Sequence, residues 1–231
     1  MTAVAPAINC VDLGFAYRAG REVLRLDPFV VARGERIFLH GPSGSGKTTL
    51  LGLLAGVLAP SSGRVEILGQ DLAALPPSQR DAFRGVHLGY LFQLFNLIPW
   101  LTVMENITLP CKLHPARQAR LAGDRPETAA LRLAERLEIA PFLTTAVTEL
   151  SVGQQQRVAA ARALIGSPEL VIADEPTSAL DTDLRDRFLE LLFEQVNEAG
   201  ATLLFVSHDL ALGARFDRIC SLPAMNHAVA R

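Results

Sequence analysis

Gly41-Pro42-Ser43-Gly44-Ser45-Gly46-Lys47-Thr48 is the stretch on which the fold turns. These residues satisfy the pattern GxxxxGK[ST] in full. They follow the apolar run Ile37-Phe38-Leu39 and lead into the apolar stretch Leu50 to Leu58, the strand–loop–helix setting that the pattern requires. Each residue type has a physical reason. Glycines allow backbone angles that turn successive N–H groups around phosphate oxygens. The helix that follows adds the positive end of its dipole. Lys47 offers a compact ammonium to the β- and γ-phosphates, and Thr48 offers a hydroxyl to Mg2+. The stretch therefore predicts a nucleotide phosphate site. It leaves the class open, because kinases, GTPases, helicases and transport ATPases share it.

Outward from this loop, short apolar runs alternate with helical patterns. Val65-Glu66-Ile67-Leu68, Leu170-Val171-Ile172-Ala173 and Leu203-Leu204-Phe205-Val206 read as strands. Between the last two, Leu184, Phe188, Leu191 and Leu192 recur at helical spacing. The alternation predicts an α/β domain with a largely parallel sheet. From about 94 to 166 the strand signal fades. Pro126-Glu127-Thr128 reads as a helix start, with Leu131, Ala134 and Leu137 on one face. This region reads as a helical lobe inserted into the core. Residues 112–125 read as the most mobile loop.

Composition narrows the class. The chain has 231 residues, 49% hydrophobic and 20% charged, with a net charge of −2. That composition excludes intrinsic disorder and sets duplex nucleic-acid binding behind other classes. Of the 22 basic residues only Lys47 and Lys112 are lysines. Cys10, Cys111 and Cys220 are widely spaced and form no disulfide framework, so a reducing compartment is expected. The first nine residues lack a basic stretch followed by an apolar one, so no secretory signal is expected. Residues 85–104 carry no formal charge, but His87, Gln93, Asn96 and Pro99 interrupt them. They read as a buried strand near 87–92 running into an apolar loop rather than a membrane span.

Asp174-Glu175 close the apolar strand 170–173. At a strand end beside a phosphate loop, the first carboxylate can hold Mg2+ through water and the second can polarise an attacking water. Here the pattern becomes specific. Leu150-Ser151-Val152-Gly153-Gln154-Gln155-Gln156-Arg157 resembles the LSGGQ signature of ATP-binding cassette (ABC) ATPases, about twenty residues before the acid pair. Ser178-Ala179-Leu180-Asp181 resembles the family's D-loop, Phe205-Val206-Ser207-His208-Asp209 its switch-histidine segment, and Phe92-Gln93 its Q-loop. Tyr17 stands where the family places an aromatic under adenine. The match runs from about 8 to 222, in the family's order.

The resemblance implies an α/β phosphate-loop NTPase core of ABC ATPase type, with an inserted helical subdomain and an N-terminal antiparallel β portion. It implies a single domain over 1–231, with a core of about 1–93 and 167–231 and a helical part of about 94–166. Tyr17 would stack on adenine. Gly41, Pro42, Ser43, Gly44, Ser45, Gly46, Lys47, Thr48 and Thr49 would bind ATP phosphates. Thr48 and Gln93 would ligate Mg2+, with Asp174 supporting it through water. Glu175 would act as general base and His208 would contact the γ-phosphate. Ser151, Gly153, Gln154 and Asp181 would complete the nucleotide site of a second ATPase subunit, so a homodimer is implied. Val152 departs from the signature, which has glycine there. A β-branched residue disfavours positive φ, so the backbone at 152 is ordinary or the loop is strained.

The Q-loop region Gln93 to Asn106 and the segment Leu150 to Leu164 resemble ATPases of macrolide-exporter and lipoprotein-releasing transporters. This implies a cytoplasmic subunit, peripheral on the membrane, that powers separate integral membrane permease subunits and does not act on nucleic acid. The uncharged strip 93–104 then reads as a docking surface for a cytoplasmic coupling helix, or as ordinary packing within the lobe. Two other roles stay open. The same ATPase cycle could drive a mechanical regulator of an extracytoplasmic enzyme. An ABC ATPase acting on DNA would need long heptad arms, and the sequence carries none.

Overall fold

The structure, a computed structural model, describes residues 4–18 and 21–228. In chain order the strands are β1 (Ile8–Arg18), β2 (Arg21–Arg25), β3 (Phe29–Val31), β4 (Arg36–His40), β5 (Ser62–Ile67), β6 (Gln70–Asp71), β7 (Leu88–Leu91), β8 (Leu170–Asp174), β9 (Thr202–Ser207) and β10 (Arg218–Ser221). The helices are α1 (Lys47–Leu54), α2 (Pro77–His87), α3 (Val103–Leu113), α4 (Pro115–Ala119), α5 (Pro126–Arg136), α6 (Val152–Leu164), α7 (Thr182–Glu198) and α8 (Leu222–Met225). Two compact units result, Met1–Arg84 with Thr202–Arg231, and Gly85–Ala201.

In the first unit β1 is the hub of an antiparallel sheet, paired with β2, β3 and β5, while β6 pairs with β5. Beside it β4 lies parallel to both β10 and β9, with Phe38 opposite Ile219 and Phe205. Every residue of β9 is buried, and so are Ile37, Phe38 and Leu39 of β4. Continuous apolar runs of this kind suit parallel strands covered on both faces. Phe38, Phe205 and Phe216 form an aromatic cluster with ring centroids 5.2–6.2 Å apart. Helix α1 buries Leu50, Leu51, Leu53 and Leu54.

In the second unit β7 and β8 run parallel, with Leu91 opposite Ala173. Helix α6 packs against α3, α5, α7 and β7. Its buried face is rich in alanine, with Ala159, Ala160, Ala161 and Ala163. Short side chains let the helix close tightly on β7, where a Cβ at Gly89 would lie 2.4 Å from the Ala163 carbonyl oxygen. Helix α3 starts at a capping box in which Thr102 and Glu105 exchange hydrogen bonds. The antiparallel β portion, the parallel strands and the helical region agree with the expected fold class.

Three details correct the sequence reading. Residues 112–125 hold the end of α3 and all of α4 rather than forming one loop. Arg117 fastens this segment. Its side chain is 2% exposed and donates to the carbonyls of Ile165 (2.7 Å), Ala163 (2.6 Å), Leu88 (2.7 Å) and Gly85 (3.1 Å). Burial, the largest influence, pushes its pKa down to about 10. On α5 the inward residues are Ala129, Ala130 and Ala134, whereas Leu131 is exposed. On α7, Phe188, Leu191 and Leu192 are buried but Leu184 is exposed. No helix among the described residues is long and apolar enough to cross a membrane.

Just before β8, Glu169 accepts from Arg120 at 2.6 Å and approaches His87 Nδ1 at 3.1 Å. Burial alone would raise its pKa. Hydrogen bonds from His87 and Arg120, together with their charges, outweigh burial and hold it down at about 2. A carboxyl depressed from 4.5 stabilises the folded state above its unfolded pKa, and that stability is lost as pH falls toward the folded value. Glu169→Gln is therefore expected to cost roughly 2–3 kcal/mol at pH 7. The gap from wild type should narrow between pH 5 and pH 3, as measured by denaturant unfolding across that range.

Candidate nucleotide site

The loop 41–48 leaves β4 and enters α1, as its sequence predicts. Gly44 and Gly46 adopt φ of +80° and +99°, angles that side-chain-bearing residues rarely take. At Gly46 a Cβ would also lie 2.7 Å from Leu24 Cδ2. At Gly41 it would lie 2.6 Å from Ser45 Oγ. The lysine folds over the crown of the loop: Lys47 Nζ donates to the carbonyls of Gly41 (2.7 Å) and Pro42 (3.3 Å). Ser45 Oγ is buried and has no hydrogen-bond partner among the described residues. A buried hydroxyl without a partner is costly, so this atom fits a loop built for an outside acceptor. Glycines at left-handed angles, a lysine over the crown and this hydroxyl fit a phosphate chain.

Two more predicted residues lie in the same unit as the loop. Tyr17 lies on β1, with its ring packed edge-on against Phe15 at 4.9 Å between centroids. Its hydroxyl hydrogen-bonds Thr49 Oγ1 at 3.2 Å, tying the tyrosine to the first turn of α1 while the residue stays 62% exposed. A fixed, exposed ring can stack on a flat base. Thr49 is buried in this contact, whereas Thr48 is exposed. His208 follows β9. The parallel register sets His40 opposite Ser207, so Gly41 and His208 leave the same edge of the sheet one residue later. The following Asp209 caps the next turn through Ala211 N at 3.1 Å, which fixes where the histidine emerges.

A similar arrangement of strand ends lies within the other unit. Leu91 is opposite Ala173, so Phe92-Gln93 and Asp174-Glu175 leave the same edge of the β7–β8 pair. Ligand sites of parallel sheets form at such carboxyl ends. Glu175 has φ +43°, a strained angle for a residue with a side chain. Burial, and then the negative charge of Asp174, push the Tyr90 phenol upward, so that group stays neutral beside the acid. The Tyr90 and Phe92 rings stack at 4.2 Å. Phe95 and Asn96 then turn at φ of +58° and +49°. Arg162 of α6 holds that turn by donating to both of their carbonyls at 2.6 Å. The sequence pattern gives no sign of the Tyr90 stacking, and it shows Arg162 only as part of the segment 150–164 and not as the residue that holds this turn.

At the head of α6, Ser151 is the N-cap. Its Oγ accepts from Gln154 N at 3.3 Å, and Gln154 Oε1 accepts from Ser151 N at 2.8 Å. Val152 is the first helical residue and its φ is not positive, so the departure from glycine strains nothing. Among the described residues nothing requires a glycine at 153, since a Cβ there would meet only Leu180 Cδ2 at 4.0 Å. Asp181 is the N-cap of α7, accepting from Leu184 N at 2.9 Å.

An α/β phosphate-loop fold with these two strand edges and a capped signature helix defines a class, the ATP-binding cassettes. Residues 27–178 match the model of the ABC transporter family, and the chain belongs to that family. It is 45% identical over 193 residues to the uncharacterized ABC transporter ATP-binding protein YbbA of Escherichia coli (strain K12), covering 84% of this chain and 82% of the relative. It is 42% identical over 216 residues to the lipoprotein-releasing system ATP-binding protein LolD 2 of Rhodospirillum rubrum, covering 92% of each. Among solved structures, the ATP-binding cassette MJ0796, a dimer in a post-hydrolysis state bound to ADP and Pi, superimposes with a TM-score of 0.82 at 32% identity, covering 97% of both chains. The chain is thus an ABC-type ATPase, a nucleotide-binding subunit of transporter type that uses ATP and Mg2+.

Proposed function

We propose that this subunit dimerises on ATP and powers a separate integral membrane partner that exports or extracts an apolar substrate, from the cytoplasmic face of the membrane. The observation that carries the membrane partner is the strip beside Gln93, where Leu94 is 83% and Trp100 79% exposed in a stretch without formal charge. Exposed apolar surface of this kind marks a docking face. Identity to lipoprotein-releasing ATPases supports extraction of a lipid-bearing cargo.

The single-cassette reading, with a helical part near 94–166, goes with this function. So do the residue roles. Tyr17 stacks on the base. Lys47, Thr48 and the loop amides bind and orient the phosphates. Thr48, Gln93 and, through water, Asp174 would be the residues that hold Mg2+, and the ion would supply charge neutralisation along the phosphates. Such an ion needs few protein oxygens, because phosphate and water fill most of its shell. Glu175 takes the proton of the attacking water, and His208 contacts the γ-phosphate. Ser151, Gly153, Gln154 and Asp181 serve the site of the second subunit. Gly153 supports this: no neighbour among the described residues requires a glycine there, whereas close approach of a phosphate bound by a second subunit would.

Co-purification from detergent-solubilised membranes tests the partner. The wild type is expected to bring down a membrane protein that raises its ATPase rate. Leu94→Asp with Trp100→Asp should lose both while keeping basal hydrolysis. Wild-type recovery in the double variant would overturn the docking assignment.

A further inference from the structure

The chain beyond β10 runs back against the phosphate loop. After α8, residues 225–228 cross to β2. Asp27 N donates to Met225 O at 3.1 Å, and His227 N donates to Arg25 O at 2.8 Å. At the crossing every hydrogen-bonding position of the Asn226 amide is used. Its Oδ1 accepts from Arg25 N (2.9 Å) and Ala228 N (3.1 Å). Its Nδ2 donates to Val23 O (3.0 Å) and to Ser45 O (3.4 Å).

Ser45 lies inside the phosphate loop, so the last bond joins the C-terminal segment to the loop's crown. A trans peptide is planar, with its carbonyl and N–H pointing to opposite sides. Holding Ser45 O against Asn226 turns Gly46 N–H toward the other face of the loop. The same amide holds the strand behind that peptide, where a Cβ at Gly46 would meet Leu24 at 2.7 Å and Val23 O at 3.6 Å. The segment also backs the loop's first glycine, since a Cβ at Gly41 would lie 3.2 Å from Pro223 Cδ. A cavity of about 450 Å3 is walled by Pro42–Ser45 on one side and by Pro223 and Asn226 on the other.

We propose that Asn226 is a positioning residue for nucleotide binding, setting the Ser45–Gly46 peptide so that the Gly46 amide is aimed at phosphate before ATP arrives. The proposal rests on the reading of 41–48 as the phosphate loop. An amide is required. An aspartate at 226 keeps both acceptor bonds but sets a carboxylate against the carbonyls of Val23 and Ser45. An alanine leaves all four partners unanswered. A loop that must be ordered on binding loses affinity. Phosphates held equally in ground and transition states appear in KM rather than kcat.

His227, on the same segment as Asn226, supplies the control. Its Nε2 lies 2.9 Å from Asp27 Oδ1, and no bond joins it to the loop among the described residues. The experiment measures MgATP and MgADP affinity by calorimetry, KM and kcat, and nucleotide-free melting, for full-length Asn226→Asp, Asn226→Ala, His227→Ala and Lys47→Ala. Both Asn226 variants are expected to weaken nucleotide about fivefold or more, the size of a lost hydrogen bond. KM should rise with kcat within about twofold, while His227→Ala keeps wild-type affinity. Wild-type affinity in both Asn226 variants overturns the proposal. So does an affinity loss in His227→Ala as large as theirs, because the segment would then act only through stability. If Lys47→Ala binds nucleotide as the wild type does, the phosphate-loop reading itself has failed.

Discussion

Glu175→Gln is expected to lower ATP turnover by about 10²–10⁴-fold, the usual contribution of a positioned general base. Binding should survive, because the substitution leaves the loop 41–48 and Tyr17 untouched. Gln is nearly isosteric with Glu and inherits the same φ of +43°, so the backbone at the end of β8 keeps its shape. What disappears is the acceptor for a proton. A subunit that binds ATP but cannot consume it should accumulate in its ATP-bound assembly. Size-exclusion chromatography with light scattering at saturating MgATP is expected to give a stable dimer for this variant, while the wild type returns to monomer as ATP is spent. A monomeric Glu175→Gln at saturating MgATP would refute the composite site and, with it, the roles of Ser151 and Gly153.

Lys47→Ala carries the second large effect. The ammonium is the compact cation of the loop, and it already reaches across to Gly41 O and Pro42 O. Contact with an anionic phosphate is a charge-assisted bond, worth about 1.5–3 kcal/mol, so ATP affinity should fall by roughly 10–100-fold or more. Loss of the lysine also removes the strut that joins the two ends of the loop. At a fixed MgATP concentration the melting temperature of the variant should then rise by less than that of the wild type. Undiminished stabilisation by ATP would remove the phosphate-loop assignment.

The parts legible in the sequence are those whose chemistry is local. The loop 41–48 is contiguous, and its glycines and lysine act within a few residues of each other. The strand runs 170–173 and 203–206 are buried on both faces and therefore apolar throughout. Once β4 and β9, or β7 and β8, are known to be parallel, the joint positions of Gly41 with His208 and of Gln93 with Glu175 follow from register. What stayed hidden depends on distance along the chain. Asn226 and Ser45 are 181 positions apart, and no pattern of period 2 or 3.6 links them. Leu131 misleads because α5 packs through alanines, whose small size, not their hydropathy, decides the inner face. The question of backbone strain at Val152 is answered once that residue is seen inside the first turn of α6 without a positive φ.

Arg117 carries a wider consequence for a chain with 20 arginines and two lysines. Its guanidinium sits in the interior, bonded to no carboxylate among the described residues and solvated by four peptide oxygens. The protein has in effect built a first hydration shell out of its own backbone, drawn from α2, β7 and the end of α6. Dipoles fixed in place cost no reorganisation and cannot be titrated away. With a pKa of about 10, the cation they surround keeps its proton throughout the neutral range. This joint therefore has nothing to gain or lose from ordinary changes in acidity, unlike the Glu169 cluster a few residues away. An ammonium offers three donors where the guanidinium offers five, and it sheds its proton readily when buried. The preference for arginine is here a preference for cations that can be wrapped in carbonyls and stay charged.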